Sequence, residues 1–142
     1  MVEPQLASSG PDAHAKALRI VVGENNADLA MTLSLLLESE ADLACVAIAS
    51  SLAAVLRAVD EQTPNAFILD LSLDDGSSLP LIGTLRERLP QAAIVVFTGH
   101  KNDVLNQQCV RAGADAVVVK TSEFEVLTAA LRHAHQRRAH QS

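Results

Sequence analysis

Tryptophan and tyrosine are missing from this chain, and phenylalanine occurs only three times. That excludes nucleic-acid modules that stack bases on aromatic platforms, and it obliges any core to be aliphatic. Positive charge is also scarce: 11 Lys and Arg stand against 17 Asp and Glu, a formal net charge of −6. Phosphate backbones repel such a surface, so no direct nucleic-acid partner is expected. Arg132, Arg137 and Arg138 are read as cations favoured near a helix C-terminus by the macrodipole. The two cysteines, Cys45 and Cys109, fall inside apolar segments, which suits buried free thiols in a reducing compartment rather than a disulfide framework. No apolar run approaches the length of a membrane span. The opening Met1–Lys16 has neither the cationic start nor the apolar stretch of a signal peptide. A cytoplasmic protein without a membrane partner is expected.

What the chain does have is aliphatic mass. Hydrophobic residues make up 49% of its 142 positions, enough for the core of one ordinary domain. Residues 1–17 mix Pro, Gly, Ser and charge without periodicity and are read as a flexible lead-in. Residues 18–136 form the domain, and 137–142 a short tail. Within the domain, short runs rich in Val and Ile stand at Leu18–Val22, Leu43–Ile48, Ala66–Leu69, Ala93–Phe97 and Ala116–Val119. Apolar on both faces, they read as parallel strands covered on both sides.

Between them the period becomes helical. One face carries Leu29, Leu33, Leu36 and Leu37; the next carries Leu52, Val55, Leu56 and Val59. Ile82, Leu85 and Leu89 follow, then a weaker set of Leu105, Cys109 and Ala112, then Leu127, Ala130, Leu131 and Ala134. Ser122-x-x-Glu125 has the form of a capping box for the last helix, and Gly113 that of an αL cap for the fourth. Five βα repeats predict a doubly wound α/β sandwich around a parallel sheet. In such folds the site lies outside the carboxyl ends of the strands.

The residues just past those ends are Gly23-Glu24-Asn25, Asp70-Leu71-Ser72, Thr98-Gly99-His100 and Lys120-Thr121. Two carboxylates brought together need a cation, and hard oxygen ligands suit Mg²⁺. With Lys120 as a compact charge and Thr98 as a hydroxyl, the set can hold a tetrahedral oxyanion beside a carboxylate, which suits phosphoryl transfer. Asp74 and Asp75 are read as a solvated turn closed by Gly76, with an outer-shell contact to the metal as the alternative. His133, His135 and His140 are read as solvated, because no Cys or carboxylate completes a ligand set.

Three segments resemble the response-regulator receiver family over nearly the whole chain. Phe67-Ile68-Leu69-Asp70-Leu71-Ser72-Leu73-Asp74-Asp75-Gly76 is similar to its phosphoacceptor strand and loop. Ile94-Val95-Val96-Phe97-Thr98-Gly99-His100 is similar to its fourth strand, and Ala112-Gly113-Ala114-Asp115-Ala116-Val117-Val118-Val119-Lys120 to its last. The resemblance implies a flavodoxin-like five-stranded sheet in the order 2-1-3-4-5. It makes Asp70 the acceptor of phosphate from a histidine kinase or phosphotransfer protein. It makes Glu24, Asp70 and the Ser72 carbonyl the Mg²⁺ ligands, and Thr98 and Lys120 the phosphoryl contacts. Gly99 and His100 flank the pocket. Output is implied to pass to a protein target through the fourth helix, fifth strand and fifth helix, and a homodimer is a further expectation. The chain is then a signalling phosphoacceptor with at most slow self-catalysed phosphorylation and dephosphorylation, and not an enzyme in the usual sense.

Three positions depart from the family. Gly23 stands where the first of two acids is usual and Glu24 where Asp is usual; Val117 stands where Tyr or Phe is common. They keep open the alternative of a pseudo-receiver that binds partners without phosphorylation. A flavodoxin-like or dinucleotide-binding enzyme needs a phosphate cradle after the first strand, and Gly23-Glu24-Asn25-Asn26 offers one glycine and an acid instead.

Overall fold

The computed structural model describes residues 17–140; the proposed lead-in through Lys16 lies outside the described residues. Elements alternate along the chain. They are β1 (Leu18–Gly23), α1 (Ala27–Glu38), β2 (Leu43–Ala49), α2 (Leu52–Gln62), β3 (Ala66–Leu69), a hairpin of β4 (Ser72–Leu73) and β5 (Gly76–Ser77), α3 (Leu79–Arg88), β6 (Ala93–Thr98), α4 (Asp103–Ala112), β7 (Ala116–Val119) and α5 (Phe124–Ala139). The main sheet is parallel, with order β2-β1-β3-β6-β7. Leaving the hairpin aside, that is the expected 2-1-3-4-5.

Strand side chains alternate between two cores, the period-2 pattern of a sheet covered on both faces. Ile20, Val22, Ile68, Val95 and Phe97 pack against Leu33 and Leu37 of α1 and Leu127 and Leu131 of α5. Val21, Phe67, Leu69, Ile94 and Val96 pack against Val55 and Val59 of α2, Ile82 and Leu85 of α3, and Cys109 of α4. The helix faces follow the sequence reading with shifts. Ala30 replaces Leu36 on the buried face of α1, and Leu36 is exposed. Thr128 joins Leu127, Leu131 and Ala134 on α5. α4 buries Cys109 alone.

Two caps differ from expectation. α5 begins at Phe124, with Glu123 as an extended N-cap that makes no side-chain cap bond, so Ser122 does not form the capping box with Glu125. Gly113 does close α4, donating to Cys109 and Val110, but at φ 127 and ψ 4, outside αL. That conformation strains any residue with a Cβ, and a Cβ there would lie 2.9 Å from Arg86 Cβ. Residues 137–139, read as tail, form the last turn of α5.

Candidate functional site

Sheet register assembles the site. Gly23 pairs with Leu69 across β1 and β3, so the next residues, Glu24 and Asp70, emerge side by side at the carboxyl edge. A bond from the Asp70 amide to the Gly23 carbonyl (2.8 Å) and one from the Glu24 amide to the Ala49 carbonyl (2.9 Å) fix both backbones. Thr98 pairs with Val119 across β6 and β7, and the Lys120 amide donates to the Thr98 carbonyl at 2.7 Å. Lys120 thereby starts from the neighbouring strand end and reaches back over the gap.

Its ammonium lies 2.8 Å from Glu24 Oε1 and 3.0 Å from Asp70 Oδ2. The Glu24 side chain is 2% exposed and Asp70's is 14% exposed. Two anions held this close, with little water, need the shared cation. Burial pulls the Lys120 pKa down, but hydrogen bonds to Glu24 and Asp70 and their charges outweigh it and hold the ammonium above its ordinary value. Glu24 Oε2 also accepts from the Asn26 amide at 3.1 Å, while the Asn26 side chain caps α1 through the Leu29 amide. The start of α1 thus orients the carboxylate.

The remaining expected residues lie around this triad. Ser72 donates its amide toward Asp70 Oδ1 at 3.4 Å. Thr98 is buried, its Oγ1 meeting the His100 amide at 3.5 Å. His100 itself is exposed. A Cβ on Gly99 would meet nothing within 4 Å, so the space beside it is open. Gly23 is tighter, because its Cβ would lie 2.9 Å from Leu69 Cδ2 and 3.4 Å from Val55 Cγ2. Glu24 and Asp70 present hard carboxylate oxygens side by side, the chemistry that Mg²⁺ takes. The cation between the two carboxylates in this structure is the Lys120 ammonium. Among the described residues, no group of three His, Cys, Asp or Glu side chains is placed to hold a metal ion.

Three contacts were not foreseen. Ser78 leaves its helix uncapped and donates its hydroxyl to the Asp70 carbonyl at 2.7 Å. Asp74 and Asp75 do form the turn of the β4–β5 hairpin, with Gly76 beyond it at φ 141. Yet the Asp75 carboxylate does not serve the triad. It accepts from the Leu52 amide at 2.6 Å and the Ala53 amide at 3.3 Å, and the Leu52 bond holds its pKa below the ordinary carboxylate value. The third is Asp115, one of the buried acids, which gathers Arg86, Arg137 and Arg138 at the opposite end of the sheet. The two last arginines are therefore ion-paired rather than only placed in a helix dipole, and Arg132 likewise pairs with Glu40 and Asp42.

The sequence profile of the response regulator receiver domain matches residues 20–132. The photosynthetic apparatus regulatory protein RegA of Rhodovulum sulfidophilum is 37% identical over 76 residues, covering 53% of this chain and 42% of RegA. The chain spans about half the length of the curated relatives it matches. The CheY-like receiver domain protein of Methanospirillum hungatei has the same fold, with a TM-score of 0.80 at 18% identity, over 89% of this chain and 100% of that one. A response regulator from Burkholderia pseudomallei, solved with a phosphorylated aspartic acid, a calcium ion and citrate, has a TM-score of 0.75 at 28% identity, over 88% of this chain and 73% of that one.

Proposed function

The chain belongs to the response regulator receiver domain family, and from that premise we propose that it carries a two-component signal by accepting a phosphoryl group on Asp70. The observation that supports this reading is the Glu24–Lys120–Asp70 triad at the carboxyl edge of the sheet. The donor is a phosphohistidine on a sensor kinase or phosphotransfer protein in the cytoplasm. One Asp70 carboxylate oxygen forms the new P–O bond as the P–N bond breaks, and the electron pair returns to the donor imidazole.

Each residue has a task in that transfer. Asp70 is anchored through its own amide and carbonyl, so its carboxylate is presented without a backbone search. The Lys120 ammonium already stands at Asp70 Oδ2 and is poised to follow the charge onto a phosphoryl oxygen. Thr98 supplies a hydroxyl hydrogen from the next strand end, and the open space beside Gly99 admits the group. Mg²⁺, when bound by Glu24, Asp70 and the Ser72 carbonyl, neutralises charge on the transferring phosphoryl. Acceptance then biases a pre-existing equilibrium of the α4–β7–α5 surface, which engages a protein target or a second copy.

Mg²⁺ with beryllofluoride, a stable phosphoryl mimic, tests the reading. In a two-dimensional NMR titration, amide shifts at Asp70, Thr98 and Lys120 are expected in the wild type and none in Asp70→Asn. A well-dispersed wild-type spectrum that stays still would refute the phosphoacceptor and leave a phosphorylation-independent binding module.

A further inference from the structure

Sheet register places Glu24, Asp70, Thr98 and Lys120, but it does not place the segment that follows Asp70. Residues 70–78 leave the sheet, turn back through the β4–β5 hairpin and enter α3. Their inner end is closed on itself. The Ser78 hydroxyl bonds the Asp70 carbonyl (2.7 Å) and the Ser78 amide bonds the Leu71 carbonyl (2.9 Å). The outer tip is the turn of the hairpin, closed by the pairing of Leu73 with Gly76, and it is tied in addition to another element. The Asp74 amide donates to the Ser50 carbonyl at 2.9 Å, and both Asp75 carboxylate oxygens accept from the first amides of α2. We propose that Asp75 is a positioning residue for phosphoryl acceptance, holding the loop that carries Ser72 by capping α2 across the fold. The inference rests on the reading of Asp70 given above.

The Asp75 contact adds to a cap that the helix already has. α2 has its own N-cap, Ser51, whose hydroxyl takes the Ala54 amide at 3.1 Å. Ser51 leaves the Leu52 and Ala53 amides open, and a helix start presents such donors together. Asp75 fills both from 23 and 22 positions away. Two oxygens are needed, which an amide or hydroxyl side chain cannot supply, and negative charge is favoured at a helix N-terminus. Between the fixed tip and the fixed inner end lies Ser72, whose amide reaches toward Asp70 Oδ1 and whose carbonyl is one of the proposed Mg²⁺ ligands. Leu73 beside it is buried against the core on the α2 side. Without the Asp75 carboxylate the tip keeps only the Asp74 bond to Ser50 and the hairpin pairing, and the freedom it gains must be removed when the ligand binds, which lowers affinity.

The test compares Mg²⁺–beryllofluoride affinity in fully folded wild type, Asp75→Ala, Asp75→Asn and Ser51→Ala. Ser51→Ala removes the helix's own cap without touching the loop. A cap of ordinary strength corresponds to roughly fivefold, so Asp75→Ala is expected to bind about fivefold more weakly. Asp75→Asn, with one oxygen left, should fall between. Ser51→Ala should lose comparable stability yet keep wild-type affinity. Wild-type affinity in Asp75→Ala would overturn the proposal, and so would an equal loss in Ser51→Ala, which would mark a merely structural cap. Should the wild type itself fail to bind, the phosphoacceptor reading falls. Amide exchange then decides the anchoring: faster exchange at Ser72 and Leu73 in Asp75→Ala upholds it, and unchanged exchange overturns it.

Discussion

Lys120 holds two carboxylates that have little else to neutralise them. Glu24 is almost wholly buried, and the ammonium it shares with Asp70 is 23% exposed. Removing a partner from a buried pair is strongly destabilising because the remaining charge stays desolvated. Partial exposure of Lys120 reduces that penalty, so Lys120→Met should cost about 2 kcal/mol at neutral pH. The pH dependence has a definite sign. The ammonium is held above its ordinary value, so its contribution is fully present below the unfolded-chain pKa of about 10.4 and is lost as pH rises through the folded value. The gap between the two proteins in urea unfolding should therefore hold steady from about pH 8 and begin to narrow as pH rises past about 10.4. A gap that stays constant would mean that Lys120 is not neutralising the pair.

At the scale of elements, the end of α5 is held by Asp115, whose side chain is 1% exposed. Oδ2 accepts from Arg86 Nη2 (3.0 Å) and the Ile94 amide (2.8 Å), and Oδ1 from Arg137 Nη2 (2.8 Å) and Arg138 Nε (2.9 Å). Arg86 also bonds the Gly113 carbonyl, so α3, β6, β7 and α5 meet at one carboxylate. Asp115→Asn should cost about 2 kcal/mol, because it removes the buried charge that partly buried Arg86 and Arg138 share. Arg137→Gln should cost less than about 1 kcal/mol, since Arg137 is 47% exposed and its two companions remain. Chemical denaturation of both variants checks the order. An Asp115→Asn loss no larger than that of Arg137→Gln would show that Asp115 is not the hub.

That hub also shows where reading the sequence stops. The five strands were legible because their runs are apolar on both faces, a pattern few other structures produce. Glu24, Asp70, Thr98 and Lys120 were legible because each lies within two residues of the end of such a run. Asp115 also borders a strand, at its amino end, and nothing local tells a buried acid from a solvated one. Its partners come from positions 86, 137 and 138. Asp75 was read as part of a turn, which it is, but its bond to α2 spans the fold and leaves no short-range signal. Ser122-x-x-Glu125 failed in the other direction. The motif is present, yet the chain enters α5 through an extended Glu123, so local propensity yielded to the path from β7. The hairpin at Ser72–Ser77 is two residues per strand, too short to show any period.

Across the whole molecule, the helices are unequally anchored, and the least anchored belongs to the proposed output surface. α5 buries Leu127, Thr128, Leu131 and Ala134, and α1 buries Ala30, Leu33 and Leu37. α4 buries Cys109 alone, while Val104 and Val110 are exposed. Beside α4 lies an open groove of about 410 Å³ lined by Asn106, Gln107, Val110, Arg111 and Val117. Valine at 117 leaves that groove unfilled by a ring. Asn106 Oδ1 is buried there with no hydrogen-bond partner among the described residues, a penalty of about 1–3 kcal/mol that local opening relieves. Fewer buried contacts and an unpaired polar atom both lower the free energy of opening. Native-state hydrogen exchange should therefore show the interior amides of α4 exchanging roughly tenfold faster, or more, than those of α1 and α5. If the bistable part of the domain lies here, Mg²⁺ with beryllofluoride should slow exchange in α4 selectively. Exchange of α4 at the rate of α5, with or without the mimic, would mean that the domain opens only as a unit, and the conformational response would have to be sought elsewhere.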